Sequence, residues 1–519
     1  MSSTDTPVRE LASERLAPMM LPRVLTTRDL GVIFIAITLF ISNGAAIQPA
    51  GPAAFAWWVL AFALFFVPGA VATQRLARLL PGEGSIYLWT HRALGPFWGF
   101  FAGFCSWWPG LLALVALGPV ALGFLGYVLP DVVGSASVEM QGIAVVAIVA
   151  VTGCIAALRL RVVQTAVNVA IGIYLVVVVV VLAAGAHHLL AGSTAAVDPT
   201  VAAAYSPSSA HGLNTANWTF FGLAVLALLG VEVPLNMGAE IRSAVRPARF
   251  LRWGCPAIMV SYLAVTWGIM VTVPPADATS SAITPIPQAI TLSFGPAAGK
   301  TAALVLAGCT IMMGAVYQYA FSRLLFVSAL DRMLPEYLAR LNRQAAPANA
   351  VWAQTMIVAV VVSLAFIVLP VLGFGGSPAD IQTRTYDVLQ ASVALVWCLS
   401  MVFLFIDAVL LSRTQRSADR VEQRRGVRRT AFAVSCGVGA VSSAAAIVAI
   451  LSGSWTPLIS NAASLHVLGA TIQWGTWSWS VLLVSLASLV AGAAMYLLGE
   501  RVHRRADARM RIGALTSQT

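Results

Sequence analysis

Charge is scarce in this sequence. Only 10% of its 519 residues are Asp, Glu, Lys or Arg, and the chain has a single lysine, Lys300. A soluble domain is usually about a quarter charged. Because 59% of the residues are hydrophobic and the mean hydropathy is +0.85, a soluble fold cannot hide this much apolar surface from water. The composition excludes a soluble globular protein and predicts an integral membrane protein.

Long polar segments are also missing. The longest, at 190–215, 274–299 and the two tails, are too short to form a soluble domain. Any chemistry must therefore lie within the membrane or in its short loops. The N-terminal residues carry several arginines without the apolar core of a cleavable signal peptide, so we expect a cytoplasmic tail there.

Catalytic and metal-binding patterns are absent from the sequence. The six cysteines fall in or beside apolar runs without zinc-type spacing, so we expect buried free thiols: Cys105, Cys154, Cys255, Cys309, Cys398 and Cys436. No His-Glu-x-x-His, Gly-x-Ser-x-Gly or phosphate-loop motif occurs, which argues against an enzyme or an ATP-driven pump. His187, His188 and His211 lack ligand spacing, so we expect neither a metal nor a cofactor.

Apolar runs long enough to cross a bilayer as helices recur twelve times. They lie near 29–51, 54–76, 96–128, 139–158, 163–189, 216–240, 250–273, 301–327, 348–372, 387–411, 430–452 and 476–499. With the N-terminus inside, only Lys300 and Arg384 fall in outer segments, as the positive-inside rule requires. The net charge of +11 therefore indicates topology rather than nucleic-acid binding. It predicts a multi-pass cell-membrane protein with both termini cytoplasmic, and the basic run at 413–429 also suits anionic membrane lipids.

Two of these runs are expected to be broken, because helix-breaking residues cluster within them. The first reads "FISNGAAIQPAGP" and the sixth reads "LLGVEVPLNMG". Glycine is a weak helix former and proline lacks a backbone donor. Freed backbone groups are tolerated in a membrane only where they face protein or a cavity. Because the breaks are five spans apart, the second set of five helices enters from the opposite side, which is the inverted-repeat arrangement of many secondary transporters.

Four stretches resemble the amino acid–polyamine–organocation (APC) transporter superfamily. They are "SNGAAIQP" at 42–49, "LPGEGSIYLWTHRALGPFWGFFAGF" at 80–104, "LLGVEVPLNMGAEIRSAVRP" at 228–247 and "SRLLFVSALDRMLPEYLARLNRQAAPANAV" at 322–351. The resemblance spans about residues 28–410, and its second and third spans are most similar to the glutamate/GABA antiporter branch.

The resemblance implies an all-α LeuT-type fold with ten core helices in a 5+5 inverted repeat and two peripheral helices. The implied parts are a tail at 1–27, a first repeat at 28–190, a second repeat at 191–412, a basic cytoplasmic loop with spans 11 and 12 at 413–500, and a tail at 501–519. The sequence departs from the family pattern at several positions. Ser42 replaces a glycine, Leu226 stands where an aromatic gate is common, and the fifth span lacks the lysine of some proton-coupled relatives.

Site residues follow from the two breaks and the resemblance. The implied substrate-binding residues are Ser42, Asn43, Gly44, Ala45, Ala46, Leu226, Gly230, Val231 and Tyr317. We expect the backbone N–H groups of Asn43 and Gly44 to hold a substrate carboxylate; close helix packing is the alternative explanation for the small residues. The resemblance implies that Tyr317 faces the substrate; a lipid-facing or packing tyrosine is the equal alternative. Trp107 and Trp108 line the pocket or anchor the membrane interface.

Glu232 is the acidic residue nearest the middle of a span, where a charge costs at least about 2.5–3.5 kcal/mol. We expect Glu232 and Pro234 to act in gating or coupling. The alternative for Glu232 is a hydrogen-bonded structural role. Other charged residues near the span ends are expected to form structural or gating ion pairs: Glu83, Arg92, Asp331, Arg332, Glu336 and Asp407.

The favoured function is a secondary transporter that moves an amino acid or a related small organic solute by alternating access. Protons or a counter-substrate are the expected coupling partners. A polyamine or amine transporter and a non-transporting sensor with the same fold remain alternatives. A membrane-embedded enzyme is disfavoured because one isolated glutamate does not supply a catalytic cluster. The lack of a second buried charge near the breaks favours a neutral substrate side chain.

Overall fold

The computed structural model describes residues 10–209, 212–372, 377–414, 426–455, 463–467 and 470–516. Within these residues, eleven helices are long and apolar enough to cross a membrane. In chain order they are Thr27–Ala46, Gln48–Leu79, Pro96–Val128, Val138–Ala156, Leu160–Leu190, Ala248–Thr272, Pro296–Leu330, Ala348–Leu372, Asp380–Arg413, Arg429–Ser452 and Thr476–Arg501. They are called spans 1–5 and 7–12 below, which reserves the number 6 for the broken segment. A polytopic all-α membrane protein is thereby confirmed.

The sixth predicted span is not a continuous helix. A ten-residue helix, Trp218–Ala227, is followed by a non-helical stretch and then by a 3₁₀-helix, Val233–Glu240. These parts together are called span 6. Among the described residues, the eleven apolar helices and this broken segment therefore stand at the positions of the twelve predicted runs.

Span 1 is interrupted as well. Its first helix, Thr27–Thr38, begins with a capping box in which Thr26 and Asp29 exchange side-chain and backbone hydrogen bonds. Its second helix is the five-residue Ser42–Ala46. Span 2 begins with the 3₁₀ stretch Gln48–Ala53, in which Gly51 is non-helical, and spans 2 and 9 widen into π-turns at Phe62–Phe66 and Leu364–Val368.

Short elements connect the spans, and most of them do not follow from hydropathy. The helices are Ala12–Met20, Ser85–Leu94, Pro130–Val133, Pro275–Ser280 and Pro285–Phe294, and the 3₁₀ turns are Ala202–Tyr205, Thr215–Asn217, Pro247–Phe250 and Glu336–Ala339. An antiparallel hairpin, β1 (Ala463–Val467) and β2 (Ala470–Trp474), joins spans 11 and 12. Strands and a helix in the N-terminal tail were not predicted.

The N-terminal helix Ala12–Met20 marks one face of the molecule. The backbone N–H and hydroxyl of Ser13 donate to the two oxygens of Asp331, just after span 8, at 2.8 and 2.7 Å. Gly499, near the end of span 12, packs against the carbonyl of Met333. The described ends of the chain therefore lie on the same face, which is called the N-terminal face.

Five of the six cysteines are buried and none is paired within the described residues. The exception is Cys154, which is exposed on the protein surface. The expectation that all six thiols are buried is wrong at this position, because Cys154 lies on the outward side of a span that is mostly exposed to lipid.

The sidedness of the N-terminal face is a prediction from arginine placement. In a Cys154→Ala background, Ser193→Cys and Ala276→Cys should react in intact cells with a membrane-impermeant maleimide, because both residues are exposed beyond the far ends of spans 5 and 7. Gln344→Cys, exposed between spans 8 and 9, should react only after lysis. Reaction of Gln344→Cys in sealed cells without reaction of Ser193→Cys would reverse the orientation.

Candidate functional site

The break in span 1 releases backbone carbonyls that three tyrosine hydroxyls satisfy. The Tyr317 hydroxyl donates to the Ile37 carbonyl at 2.7 Å, and Tyr262 donates to Thr38 at 2.6 Å. Tyr174 donates to the Leu39 carbonyl at 3.1 Å. These tyrosines come from spans 8, 7 and 5, so three other spans supply the partners that the interrupted helix lacks.

Two of the same hydroxyls also accept hydrogen bonds from the break. The Phe40 N–H donates to Tyr262 at 3.0 Å, and the Ile41 N–H donates to Tyr174 at 2.9 Å. A hydroxyl can both donate and accept a hydrogen bond. Tyr262 and Tyr174 therefore each bind one freed carbonyl and one freed N–H group of span 1. Tyr174 and Tyr262 were not predicted from the sequence. The available signal was a buried tyrosine, which requires a polar partner.

The break in span 6 lies against the break in span 1. The Ala227 carbonyl, at the end of the first helix of span 6, lies 3.0 Å from the Tyr262 hydroxyl and shares its single hydrogen with the Thr38 carbonyl. Gly230 has a φ of 100°, in the region that favours glycine. A Cβ at this position would lie 2.7 Å from Cγ2 of Ile37 and 3.3 Å from the Trp397 ring. Glycine is therefore required here by both conformation and space.

A cavity with about 550 Å³ of empty space, which includes space open to solvent, lies beside the two breaks. The residues lining it are Ile37, Thr38, Phe40, Ser42, Asn43, Ala113, Ala116, Leu117, Val120, Leu226, Ala227, Leu229, Tyr317, Tyr386, Gln390, Val393 and Trp397. None of these lining residues is charged. The lining residues of span 3 lie in its second half and those of span 10 lie in its first half, so the cavity lies on the side of the breaks away from the N-terminal face.

The predicted substrate-binding residues divide into two groups. Those that line the cavity are Ser42, Asn43, Leu226 and Tyr317; those that do not are Gly44, Ala45, Ala46, Gly230 and Val231. A Cβ on Gly44 would lie 3.0 Å from Val265 of span 7, so this glycine faces a neighbouring helix. The Asn43 and Gly44 N–H groups donate to the carbonyls of Phe40 and Ile41, both at 2.9 Å.

Glu232 lies behind the cavity wall. It is fully buried, and its Oε1 accepts from the Ser106 hydroxyl at 3.1 Å and the Trp397 indole at 3.0 Å. Its Oε2 has no hydrogen-bond partner in the described part of the chain. Trp397 lines the cavity and touches Glu232, so the carboxylate contacts the site through this indole. Pro234, two residues later, is buried at the start of the 3₁₀-helix.

A buried ion pair lies between the two breaks and the N-terminal face. Arg323 of span 8 binds both oxygens of Glu240, at the end of span 6, with distances of 3.1 and 2.8 Å. Both side chains are buried. Beside them, the Leu25 N–H donates to the Glu240 carbonyl at 2.9 Å, and the Arg242 N–H donates to the Leu25 carbonyl at 3.1 Å. The cavity therefore has no opening through these contacts toward the N-terminal face.

The predicted charge pairs near the span ends are partly wrong. Asp407 accepts from the Thr90 hydroxyl at 2.5 Å rather than from a basic loop residue. Asp331 accepts from Ser13 and from the Tyr87 hydroxyl at 2.9 Å. Salt bridges among the described residues include Glu240–Arg323 and Arg92–Glu14. The partners of these charged residues lie in distant segments of the sequence. Closeness to a loop along the chain therefore does not predict them.

The tryptophans of span 3 do not line the cavity. Trp107 lines a separate apolar crevice with Phe104 and Met495, and Trp108 stacks on Phe104 at 5.9 Å between ring centroids. The indole at the cavity is Trp397 of span 10. Sequence hydropathy gives no signal that separates these tryptophans.

Comparison with known proteins agrees with this arrangement. The family model for amino acid permeases matches residues 28–459. The chain belongs to the amino acid permease family. This match covers both breaks, every residue that lines the cavity and the Glu240–Arg323 pair. The APC superfamily indicated by the motifs is thereby confirmed.

Curated relatives of this permease family are transporters. The chain is 28% identical over 374 residues to the branched-chain amino acid permease BcaP of Lactococcus lactis, covering 66% of this chain and 76% of the relative. It is 24% identical over 409 residues to an uncharacterized transporter of Legionella pneumophila, covering 76% and 82%. A probable polyamine transporter of Arabidopsis thaliana is 39% identical over 49 residues only, or 9% and 10%.

Gly230 provides a test of how the two breaks meet. Gly230→Ala should destabilise the protein by about 1–3 kcal/mol and weaken solute binding, because a Cβ strains a left-handed backbone and pushes against Ile37. Gly308→Ala is the matched control, since a Cβ there meets no atom within 4 Å. Thermal unfolding of the purified variants measures the difference. Equal midpoints for the two variants would show that the close approach at Gly230 is not required.

Proposed function

We propose that this protein is a secondary transporter for neutral amino acids with an apolar side chain, working by alternating access. The observation that carries the proposal is the uncharged cavity at the meeting point of two broken helices. In transporters built from inverted repeats, broken helices present polar backbone ends to a solute at the membrane midplane. The 5+5 repeat with two peripheral helices is part of this proposal.

The lining supports a zwitterion with an aliphatic side chain. The Ser42 hydroxyl and the Asn43 amide supply donors for a carboxylate at one end of the cavity. Ala227 and Leu229 also line the cavity, and the Leu229 carbonyl, together with the remaining lone pair of the Ala227 carbonyl, would accept hydrogen bonds from an ammonium group. Leu117, Val120 and other apolar residues form the rest of the wall, where an aliphatic side chain buries its surface.

A cationic substrate is less compatible with this cavity. A polyamine carries several charges, and burying a charge without a counter-charge or hydrogen bonds is costly. No acidic residue lines the cavity, and Glu232 lies behind Trp397. The similarity to a branched-chain amino acid permease over 66% of this chain, against a 49-residue match to a probable polyamine transporter, supports the same choice.

Alternating access requires a site that opens to one side at a time. Here the cavity lies on the side away from the N-terminal face, while Glu240–Arg323 and the Leu25 backbone contacts close the other side. A sensor that only binds the solute would have the same geometry, so flux distinguishes the two functions. Uptake of radiolabelled leucine into proteoliposomes supports transport. Specific binding without uptake would identify a sensor.

The substrate class has a direct test in a binding screen. Leucine, isoleucine and valine should raise the thermal midpoint of the purified protein, whereas glutamate, lysine and putrescine should not, because the cavity offers no counter-charge. Stabilisation by putrescine or glutamate alone would contradict the assignment.

A variant pair locates the binding site. Leu117→Trp should weaken leucine binding at least about tenfold, or ~1.4 kcal/mol, by filling the cavity. Leu304→Trp in span 8, where the leucine is exposed to lipid, should leave the affinity unchanged. Isothermal titration measures both. Similar affinities for the two variants would place the solute elsewhere.

Glu232 is proposed as a gating or coupling group that acts through Trp397. Glu232→Gln is nearly isosteric and keeps an oxygen for Ser106 and Trp397, so leucine binding should be retained. The pH dependence of uptake should flatten, because the variant cannot lose or gain a proton. Uptake into proteoliposomes across about pH 5–8 is the measurement.

Two other outcomes would contradict the role of Glu232. Lost binding with an unchanged pH profile would make Glu232 a direct ligand of the substrate. A wild-type pH profile with normal binding would leave it as a structural hydrogen-bond acceptor between spans 3, 6 and 10.

A further inference from the structure

The loop between span 2 and helix Ser85–Leu94 is docked tightly on the second half of span 6. The Gly84 N–H donates to the Asn236 carbonyl at 3.0 Å, and the Ser85 hydroxyl donates to the Asn236 side chain at 2.5 Å. A Cβ on Gly238 would lie only 2.0 Å from the Gly82 carbonyl oxygen. At these two glycines, the backbone of the loop therefore packs directly against the backbone of span 6. Any movement of this half of span 6 must separate the two backbones.

Glu83 lies at the centre of this contact. Its side chain is only 4% exposed, and Oε2 accepts from the Ala239 N–H at 2.6 Å. Its other oxygen, Oε1, is buried with no hydrogen-bond partner among the described residues. A buried carboxylate oxygen without a partner carries a desolvation cost that a bound proton reduces.

The neighbouring charges do not neutralise Glu83. Glu240 and Arg323 face it from spans 6 and 8. The Nε and Nη2 groups of Arg323 bind Glu240, and its Nη1 donates to the Tyr319 carbonyl and the Ser322 hydroxyl at 3.1 and 3.3 Å. Glu83 and Glu240 thus lie near one guanidinium, which is hydrogen-bonded to Glu240. A single bound proton would bring the net charge of these two carboxylates and Arg323 to zero.

We propose that Glu83 is a proton-binding site and that its protonation holds span 6 closed against the N-terminal face. The ligand is the proton itself. The link to gating rests on the proposed alternating-access function, whereas proton binding does not. Opening toward the N-terminal face separates span 6 from the loop and exposes Glu83 to water.

The direction of the linkage follows from the environment of Glu83. Burial, and then the negative charge of Glu240, raise the pKa of Glu83 well above its usual value; Arg323 and the Ala239 N–H lower it by less. Exposure in an open state would return the pKa toward about 4.3. The closed state therefore binds the proton more tightly. Acid favours closure, and this preference is lost as the pH rises through the raised, closed-state pKa.

A cysteine introduced at Ala239, beneath the N-terminal helix, reports whether span 6 is closed against the N-terminal face. Ala239 is buried with Ala17, Leu21 and Phe326, so a thiol there reacts only when the N-terminal helix and span 6 separate. In purified Cys154→Ala/Ala239→Cys protein in lipid nanodiscs, the labelling rate with a water-soluble maleimide should increase between about pH 5 and pH 8, after correction for thiol ionisation with a small-molecule thiol. Each unit of difference in pKa between the closed and open states changes their ratio about tenfold.

Glu83→Gln mimics the protonated residue, so its labelling should be slow and independent of pH. Glu139→Gln, at a partly exposed glutamate outside the cluster, should retain the wild-type slope. Infrared difference spectra should also show a protonated carboxyl band in the wild type that Glu83→Gln lacks.

Two outcomes would overturn the proton site: a flat profile in the Ala239→Cys protein with Glu83 intact, or a Glu83→Gln variant that keeps the pH-dependent slope. The first requires no variant at Glu83, so misfolding of Glu83→Gln cannot obscure it. Leucine uptake by a protein with a flat profile would leave the transport proposal standing without the proton site. A pH-dependent profile without uptake would support the proton site and contradict transport.

Discussion

The structure depends on one constraint, which is that lipid offers no hydrogen bonds to the backbone groups that two helix breaks release. The Tyr262 hydroxyl meets this constraint at both breaks, since it contacts Thr38 and Phe40 in span 1 and Ala227 in span 6. Its ring stacks on Trp58 at 4.3 Å between centroids, and the Trp58 indole donates to Thr266. A single side chain held by its own packing thus ties the two breaks together.

This arrangement separates the tasks of the two ends of span 6. The end near Ala227 is bonded to Tyr262 and borders the cavity, whereas the end near Glu240 is bonded to Arg323 and to the Leu25 backbone. Between them lies the non-helical stretch that contains Gly230. The hydrogen bonds at the Glu240 end can be lost without disturbing the interruption of span 1. The bonds at the Glu240 end and those at the Ala227 end have no partner residue in common. The non-helical stretch between the halves of span 6 would serve as the hinge that the proposed alternating access requires.

Much of the fold could be predicted from the sequence because its signals are local. Contiguous apolar runs revealed the spans, and Gly230 and Pro234 revealed the second break. The site was only partly predictable. Tyr174 and Tyr262 were missed because their partners are carbonyls in another span. The Glu240–Arg323 pair was missed because it joins residues that are far apart in the chain. The N-terminal helix was missed because its short, polar sequence gives no membrane signal.

The placement of buried carboxylates connects the cavity to the sealed face. Glu83, Glu232 and Asp407 each have one oxygen bonded to a neighbouring segment and one without a partner among the described residues. None of them lines the cavity, so the solute meets a neutral wall. Acidic groups are therefore kept where segments contact each other. A change in their protonation would act on the contacts between helices and would leave the chemistry that selects the solute unchanged.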